Sequence, residues 1–264
     1  MQAYFLFLGT GGSAGTPIIG CECPVCSSSD PFNKRLRPSG LITAGDKRIL
    51  IDTTPDLREQ ALRASIKELD GVILTHAHYD HIGGLDELRI YYLRSRRPVP
   101  VLLSESTYEE VRRRYDYLFH EQPGEGISLP AQLSFHILEE KKGRTLFCDI
   151  PLQYFSYIQG NMEVNGFRIG NFAYVSDIRK YTEDLYQELV GVKYLVVSAL
   201  GPEPSTMHLS FEEAIAFSRK VGAETTWFTH LSHRVDHQST NQTLPEGIQL
   251  AYDGLKVEFT VHVT

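Results

Sequence analysis

The stretch LTHAHYDHIGG, residues 74–84, places four side chains that commonly bind metals within six positions: His76, His78, Asp80 and His81. The apolar, β-branched run before them predicts a buried strand, and the cluster then lies at its end, where loops commonly carry chemistry. In an extended segment His76 and His78 point the same way, whereas Asp80 and His81 fall in the turn before a predicted helix. The motif therefore offers two pairs of ligands to two neighbouring ions, and both pairs need partners from elsewhere in the chain.

The 264 residues have the composition of an ordinary globular protein, with 42% hydrophobic and 22% charged residues. This length suits one large α/β domain or two small ones. Because we see no repeat and no flexible linker, we predict a single domain over residues 1–264. The net charge of -7 argues against general binding to nucleic acid, which needs a basic surface. No apolar run approaches membrane-spanning length, and the N-terminus resembles a first strand rather than an export signal, so we expect a cytoplasmic protein.

Strand-like runs alternate with helical patterns along the chain and predict a layered α/β architecture. The predicted strands are YFLFLG, KRILID, GVILTH, VPVLLS, TLFCDIPLQYF, FAYVSD, KYLVVSAL, TTWFTH and LKVEFTV. Ser210 and Glu213 have the spacing of a capping box, before a helix that is expected to end at Gly222. Asp253 and Gly254 are typical of a hairpin turn.

The stretch from Tyr108 to Arg144 is less regular than its surroundings. YEEVRRRYDYLF predicts a solvated amphipathic helix, and the alternatives are a lid or a contact in a homodimer.

Three of the four cysteines, Cys21, Cys23 and Cys26, are crowded into GCECPVC. Cysteines one or three residues apart make poor disulfide partners, and in a cytosolic chain such a cluster favours a metal. Cys148 lies in the apolar run TLFCDI and is predicted to be a plain core residue.

THAHYDH matches the HxHxDH signature of the metallo-β-lactamase fold hydrolases, which this sequence resembles. The resemblance implies an α/β fold of four layers, an αββα sandwich, and further ligands from later in the chain. Asp177 in FAYVSDI would bridge two metals, and His230 in WFTHLSH would complete the second site. The resemblance thus assigns His76, His78 and Asp177 to the first metal, and Asp80, His81, His230 and Asp177 to the second.

FLGTGGSAGTPIIGCECPVC, GFRIGNFAYVSD and THLSHRVD extend the resemblance over nearly the whole chain, to the PhnP-like branch of phosphodiesterases that open cyclic ribose phosphates. This branch implies a structural zinc held by Cys21, Cys23, Cys26 and His233. Three thiolates and one imidazole close a tetrahedron and leave no position open for substrate. The branch also implies that His208 in STMHLSFEEA acts at the leaving group, and the alternative is an exposed loop histidine.

One position departs from the family pattern. The third histidine of the first metal site usually precedes a segment like GFRIG by a short stretch, but no histidine occurs between His136 and His208. Gln159 occupies the slot, and Tyr154 is the alternative if the register shifts. Because an amide oxygen is a poorer zinc ligand than imidazole, we predict that the second site binds metal more tightly. Occupancy of the first would be partial or depend on the metal supplied.

These features together predict a metal-dependent hydrolase with one or two catalytic zinc or manganese ions and one structural zinc. The expected reaction is hydrolysis of a small cyclic or ribose-containing phosphate by hydroxide formed at the metal. Asp80 and Asp177 would orient that hydroxide, and the expected partner is a small phosphorylated substrate. The alternatives are a hydrolase of lactones, thioesters or RNA on the same fold, a PqqB-like protein, or a member that binds a ligand without turnover.

Overall fold

The computed structural model describes residues 1–120 and 130–261, and within them the strands form two seven-stranded sheets. The first sheet contains, in spatial order, β14 (Lys256–Thr260), β1 (Gln2–Gly9), β2 (Ser39–Ala44), β3 (Lys47–Ile51), β4 (Gly71–Ile73), β5 (Val99–Ser104) and β6 (Leu133–Leu138). The second sheet contains β13 (Ile248–Leu250), β12 (Thr225–Thr229), β11 (Tyr194–Ser198), β10 (Phe172–Val175), β9 (Met162–Ile169), β8 (Ile150–Gln159) and β7 (Lys142–Phe147). Each sheet is antiparallel in one part and parallel in the other, with β3–β6 and β10–β13 forming the parallel parts.

The helices are α1 (Leu57–Arg63), α2 (Tyr79–Ile82), α3 (Arg89–Ser95), α4 (Glu105–Arg114), α5 (Leu185–Glu188), α6 (Phe211–Val221) and α7 (His237–Asn241). Short 3-10 turns cover Pro31–Asn33, Leu85–Leu88 and Asp116–Leu118. Over the two described ranges, no helix combines the length and apolar character that crossing a membrane requires.

A core of aromatic and aliphatic side chains fills the space between the two sheets. Ala3, Phe5 and Phe7 of β1 face this core, since alternate residues of a strand share one face. The ring of Phe5 packs 5.0 Å from that of Phe172 in the opposite sheet, and Phe172 packs 4.8 Å from Phe259. The two sheets are therefore joined by direct stacking of aromatic rings.

Two further apolar clusters cover the outer faces of the sheets. Leu8 of β1 and Leu57 of α1 belong to the cluster under the helices of the first sheet. Phe217 of α6 packs with residues of β10–β12 on the other side. Helices thus cover both sheets, and the four-layer αββα sandwich is confirmed.

The structure confirms some local predictions and corrects others. Ser210 and Glu213 form the capping box of α6, which ends at Gly222 with a φ of 77°. The predicted hairpin at Asp253 and Gly254 is wrong, because β13 pairs with β12 in one sheet whereas β14 pairs with β1 in the other. Asp253 accepts hydrogen bonds from the Thr10 hydroxyl and from the Leu36 N–H. These bonds hold the connection from β13 to β14 against the first sheet.

The motif itself and the region after β5 also differ from expectation in detail. Asp80 and His81 belong to the short helix α2 rather than to a turn. The helix predicted in YEEVRRRYDYLF is present only in part: α4 ends at Arg114 with exposed arginines in its last turn, and a 3-10 turn covers Asp116–Leu118. Residues 121–129, part of the less regular stretch, lie outside the described residues.

Candidate metal centre

The six predicted metal ligands meet where parallel strands of both sheets end. The histidine motif follows β4, Asp177 follows β10 and His230 follows β12. Asp177 and His230 have φ angles of 54° and 60°, a left-handed backbone that few residue types adopt readily. Such conformations persist at functional sites where the surrounding structure enforces them. Apart from the half-buried His78, the six side chains are buried.

Three of the four side chains predicted for the second metal, Asp80, His81 and His230, form one compact cluster of ligand atoms, and Asp177 contacts both histidines. Asp80 Oδ2 lies 3.4 Å from His230 Nε2 and 3.7 Å from His81 Nε2. The carboxylate of Asp177 lies 3.3 Å from each of these two Nε2 atoms. Because nitrogen and oxygen ligands lie about 2.0–2.1 Å from a tetrahedral zinc, they are separated by about 3.3 Å. Asp80 Oδ2 and both Nε2 atoms are buried without a hydrogen-bond partner in the described parts of the chain, so the set fits one divalent ion.

The first site is less complete. His76 Nε2 lies 3.0 Å from His78 Nδ1 and 3.4 Å from Asp177 Oδ2. Among the described residues, His76 belongs to a compact cluster of ligand atoms with His81 and Asp177, whereas no such cluster includes His78. The structure thus brings all six residues to one centre, but the second set is the more convergent.

Gln159 lies at this centre, at the C-terminal end of β8, and its side chain is buried. Its Nε2 is 3.2 Å from Asp177 Oδ2 and 3.2 Å from His208 Nδ1. Its Oε1 has no hydrogen-bond partner among the residues that the structure describes. Tyr154, the alternative, packs between the sheets beside Gly143 and is not part of the centre.

Asp52, at the end of β3, is a functional candidate that the sequence analysis missed. Its Oδ2 lies 2.7 Å from His81 Nδ1, and its carboxylate also accepts hydrogen bonds from the N–H and hydroxyl of Thr75. A carboxylate on the far nitrogen of a ligand histidine fixes the ring and its tautomer. The available signal was an aspartate that follows the buried strand KRILI directly, as Asp177 follows FAYVS.

The charges at the centre hold the two carboxylates ionised. Burial opposes ionisation, but His230 and His81 lower the pKa of both Asp80 and Asp177 below the usual range. Burial likewise opposes the charged form of His81, yet Asp177 and Asp52 raise its pKa well above the ordinary value. Both carboxylates of the centre are therefore ionised at neutral pH.

His208 lies beside this network, in the loop before α6. Its side chain is largely buried, and its ring stacks on that of His230 with centroids 4.4 Å apart. Its Nδ1 lies 4.0 Å from Asp177 Oδ1. Burial, and then the charge of His230, lower the pKa of His208 to about 4, so its imidazole is neutral near pH 7. The alternative of an exposed loop histidine is wrong.

The cysteine cluster forms a second group of candidate ligands. The Sγ atoms of Cys21, Cys23 and Cys26 lie 3.4, 3.6 and 3.5 Å from His233 Nδ1. Sulfur and nitrogen ligands of a tetrahedral zinc are about 3.5 Å apart, so these residues fit one zinc ion. A hydrogen bond from the Cys26 N–H lowers the pKa of Cys23 to about 6, which favours the thiolate. Because His233 follows His230 by three positions, one loop contributes to both groups.

Cys148, by contrast, is only partly buried at the edge of the core.

A buried arginine holds the loop that carries His230 and His233 in place. The side chain of Arg35 is 2% exposed, and its Nη2 donates to the Val235 carbonyl at 2.8 Å and to Asn33 Oδ1 at 3.0 Å. Its other nitrogens donate to the carbonyls of Ser232 and Phe32. Burial lowers the pKa of Arg35 to about 10, and the group remains charged at neutral pH.

Comparison with known proteins agrees with this geometry. The model of the beta-lactamase superfamily domain matches residues 47–231. Together with the sandwich and the convergent cluster of histidines and carboxylates, this match shows that the chain belongs to the metallo-β-lactamase superfamily of hydrolases. Within it the chain is PhnP-like. The crystal structure of a diphosphatase from the PhnP family has a TM-score of 0.90 and 38% identity, covering 100% of this chain and 99% of that one.

Two further relatives show how widely the fold is shared. An octanoyltransferase from Porphyromonas gingivalis is 35% identical over 257 residues, which are 95% of this chain and 50% of that protein. This chain therefore spans half the length of that relative. Zinc-bound PqqB from Methylobacterium extorquens has a TM-score of 0.76 at 18% identity, covering 96% of this chain and 99% of that one.

Proposed function

We propose that this hydrolase is a metal-dependent phosphodiesterase that acts on a small cyclic or ribose-containing phosphate. The observation that carries the proposal is the compact cluster of Asp80, His81 and His230, with Asp177 in contact with both histidines and His208 beside them. The 38% identical diphosphatase of the PhnP family supports chemistry on phosphate esters. The net charge of -7 favours a small substrate over a nucleic-acid polymer.

A divalent ion held by these four side chains would lower the pKa of a water molecule toward about 7 and would neutralise a phosphate oxygen. The ionised carboxylates of Asp80 and Asp177 accept hydrogen bonds, and they would orient the attacking water toward phosphorus. Asp52 holds His81 in one orientation through the 2.7 Å contact to Nδ1. The protein thereby fixes the geometry of attack.

His208 would serve the leaving group. Its neutral imidazole has one N–H to donate, and a departing alkoxide needs a proton as the P–O bond breaks. The stack on His230, with 29° between the ring planes, keeps the imidazole beside a proposed metal ligand and within reach of the same substrate. We assign to His208 the role of proton donor and to Asp80 that of orienting the nucleophile.

We further propose that zinc or manganese occupies the second site firmly and the first site weakly. Gln159 turns a donor toward Asp177, which leaves only its unpartnered Oε1 to contact an ion. A zinc ion in the cluster of Cys21, Cys23, Cys26 and His233 would have a structural role, since its coordination is complete without substrate.

We propose a cytoplasmic location as well, because a cluster of three cysteines that are not joined in disulfides suits a reducing compartment. A homodimer, the alternative given above for the stretch from Tyr108 to Arg144, can be tested by light scattering coupled to size-exclusion chromatography, where a monomer mass would contradict it.

The phosphodiesterase proposal is tested with bis(p-nitrophenyl) phosphate after chelation and readdition of Mn²⁺ or Zn²⁺. We expect metal to restore hydrolysis in the wild type and in His136→Gln, a control at an exposed position of β6. His208→Gln should keep its metal content and lose turnover by about 100-fold or more. Asp80→Asn should lose metal as well as turnover. Faster hydrolysis of a lactone or thioester than of any phosphodiester would contradict the proposal, and binding without turnover would favour the non-catalytic alternative.

A further inference from the structure

The C-terminal end of α4 contacts both ends of the histidine motif. Arg114 Nη1 donates a hydrogen bond to the Ala77 carbonyl at 2.6 Å, and the hydroxyl of the next residue, Tyr115, donates to the Ile82 carbonyl at 2.8 Å. The two carbonyls flank residues 78–81, which include three of the six candidate ligands. We propose that Arg114 and Tyr115 are positioning residues that together clamp this segment, and we call the pair the α4 clamp. The inference rests on the proposed metal centre and names what holds its ligands in place.

The clamped segment has few backbone hydrogen bonds of its own. The helix α2 is a single turn, Tyr79–Ile82, in which the N–H groups of His81 and Ile82 donate to the His78 carbonyl at 3.0 and 3.1 Å. A helix of this length has little stability by itself. Ala77 lies in neither a helix nor a strand, and within the described ranges no backbone N–H donates to its carbonyl. Contacts from other parts of the chain are therefore needed to fix this segment.

The helix that supplies the clamp is itself fixed on the first sheet. Val111 of α4 is 0% exposed, and its carbonyl accepts the Tyr115 N–H at 2.8 Å, which closes the last turn. Glu110 Oε2 accepts hydrogen bonds from Arg114 Nε at 3.0 Å and from Nη2 at 2.7 Å. Because the guanidinium is planar and rigid, these two bonds direct the remaining nitrogen, Nη1, to Ala77.

The clamp faces a second set of contacts on the other side of α2. The Thr53 N–H, after β3, donates to the His81 carbonyl at 2.7 Å, and Asp52 holds the ring of His81 at Nδ1. The short helix is thus held between the end of β3 and the end of α4. Ligands that are ordered in advance spare an ion the free-energy cost of ordering them. The α4 clamp should therefore increase the affinity of the centre for metal.

Two substitutions each release one end of the clamp. Arg114→Met removes the donor to the motif and keeps the approximate length of the side chain, whereas Tyr115→Phe removes only a hydroxyl. Arg113→Met is the matched control for the first: Arg113 donates to the same oxygen of Glu110 at 2.7 Å, and no hydrogen bond from it to the motif is found in the described residues. Tyr117→Phe is the control for the second, at a ring 6.3 Å from that of Tyr115.

Titration with Mn²⁺, followed by electron paramagnetic resonance, measures the effect of the clamp on the centre. This ion prefers oxygen ligands to the thiolates of the cysteine cluster, so the signal reports the carboxylate and histidine site. We expect Arg114→Met to weaken Mn²⁺ binding about tenfold and Tyr115→Phe about threefold, because a charged donor forms the stronger hydrogen bond. The spectrum of the bound ion should change in both variants and in neither control. Unchanged affinity and unchanged spectra in both clamp variants would overturn the inference.

Hydrogen exchange in the metal-free protein tests the clamp without ion or substrate. In either clamp variant the amides of His81 and Ile82 should exchange about tenfold faster than in the wild type, through local opening of α2. The amides of Thr16 and Arg35, which bond to each other's carbonyls at 2.8 and 2.7 Å elsewhere in the fold, should keep their rates. A uniform acceleration at all four amides, or no change at α2, would refute the clamp. A wild type that binds Mn²⁺ but hydrolyses no phosphodiester would refute only the proposed function.

Discussion

Replacement of Arg35 by methionine should weaken the loop that carries His230 and His233. The guanidinium makes four hydrogen bonds, of which those to Asn33 and Val235 are fully buried, and at about 1.5 kcal/mol each the four contribute about 6 kcal/mol. Burying the charge, which lowers the pKa of Arg35 from 12.5 to about 10, costs about 3 kcal/mol. Methionine restores the packing but not the bonds, so we expect the free energy of unfolding to fall by about 3 kcal/mol.

The assay is urea unfolding of the metal-loaded protein, combined with the rate at which a chromogenic chelator withdraws zinc. Arg97→Met, at an exposed position after α3, is the control and should behave like the wild type. Zinc from the cysteine cluster should leave the Arg35 variant faster, because the variant frees the carbonyls on both sides of His233. A loss of less than about 1 kcal/mol with an unchanged rate of zinc release would refute this reasoning.

Three further predictions concern the centre itself. Asp52→Asn removes the carboxylate from the far nitrogen of His81 and should weaken metal binding about 10- to 100-fold, measured by competition with a chelator. Burial, and then the charge of His81, depress the pKa of His76 from 6.5 to about 4. Between these pH values the unfolded state binds more protons than the folded state. On acidification the free energy of unfolding of the metal-free wild type should therefore fall by about 3 kcal/mol, and that of His76→Asn should not show this loss. Unfolding measured at each pH checks this. Gln159→His should raise the number of tightly bound ions by one, counted by elemental analysis after dialysis.

The histidine motif was predictable from its local spacing, whereas Asp177 and His230 were implied by the family resemblance. The motif from His76 to His81, together with Asp177 and His230 at later strand ends, comes together in the structure as the family pattern implies. Gln159, which ends a strand at a fixed distance before GFRIG, lies beside these residues in the structure, and its role toward a metal stays a prediction. Residue type and position in the sequence are enough to single out such residues.

Residues whose role depends on distant contacts could not be predicted. Asp52 matters because it meets His81, 29 positions away, and Arg35 because it meets the carbonyl of Val235, 200 positions away. The hairpin predicted at Asp253 failed because turn chemistry is local and does not specify which sheet the next strand joins.

Strands were also missed where glycine interrupts their apolar pattern. In β2 the ring of Phe5 occupies the space that a side chain at Gly40 would need, and in β9 Phe155 does the same at Gly166. Glycine lowers the propensity for a strand, yet at these positions it allows an aromatic ring to lie across the backbone. The weak local signal therefore reflects a packing requirement of the neighbouring strand.

The two sheets contribute candidate ligands from opposite halves of the chain. The centre can therefore assemble only after both halves have folded together. During synthesis His76 and His81 emerge long before Asp177 and His230, and a partial chain can offer an ion only two or three of the four ligands. Contacts across such long separations form late. A nascent or truncated chain would therefore capture metal poorly and hydrolyse nothing, and reactive chemistry begins only once both sheets have docked.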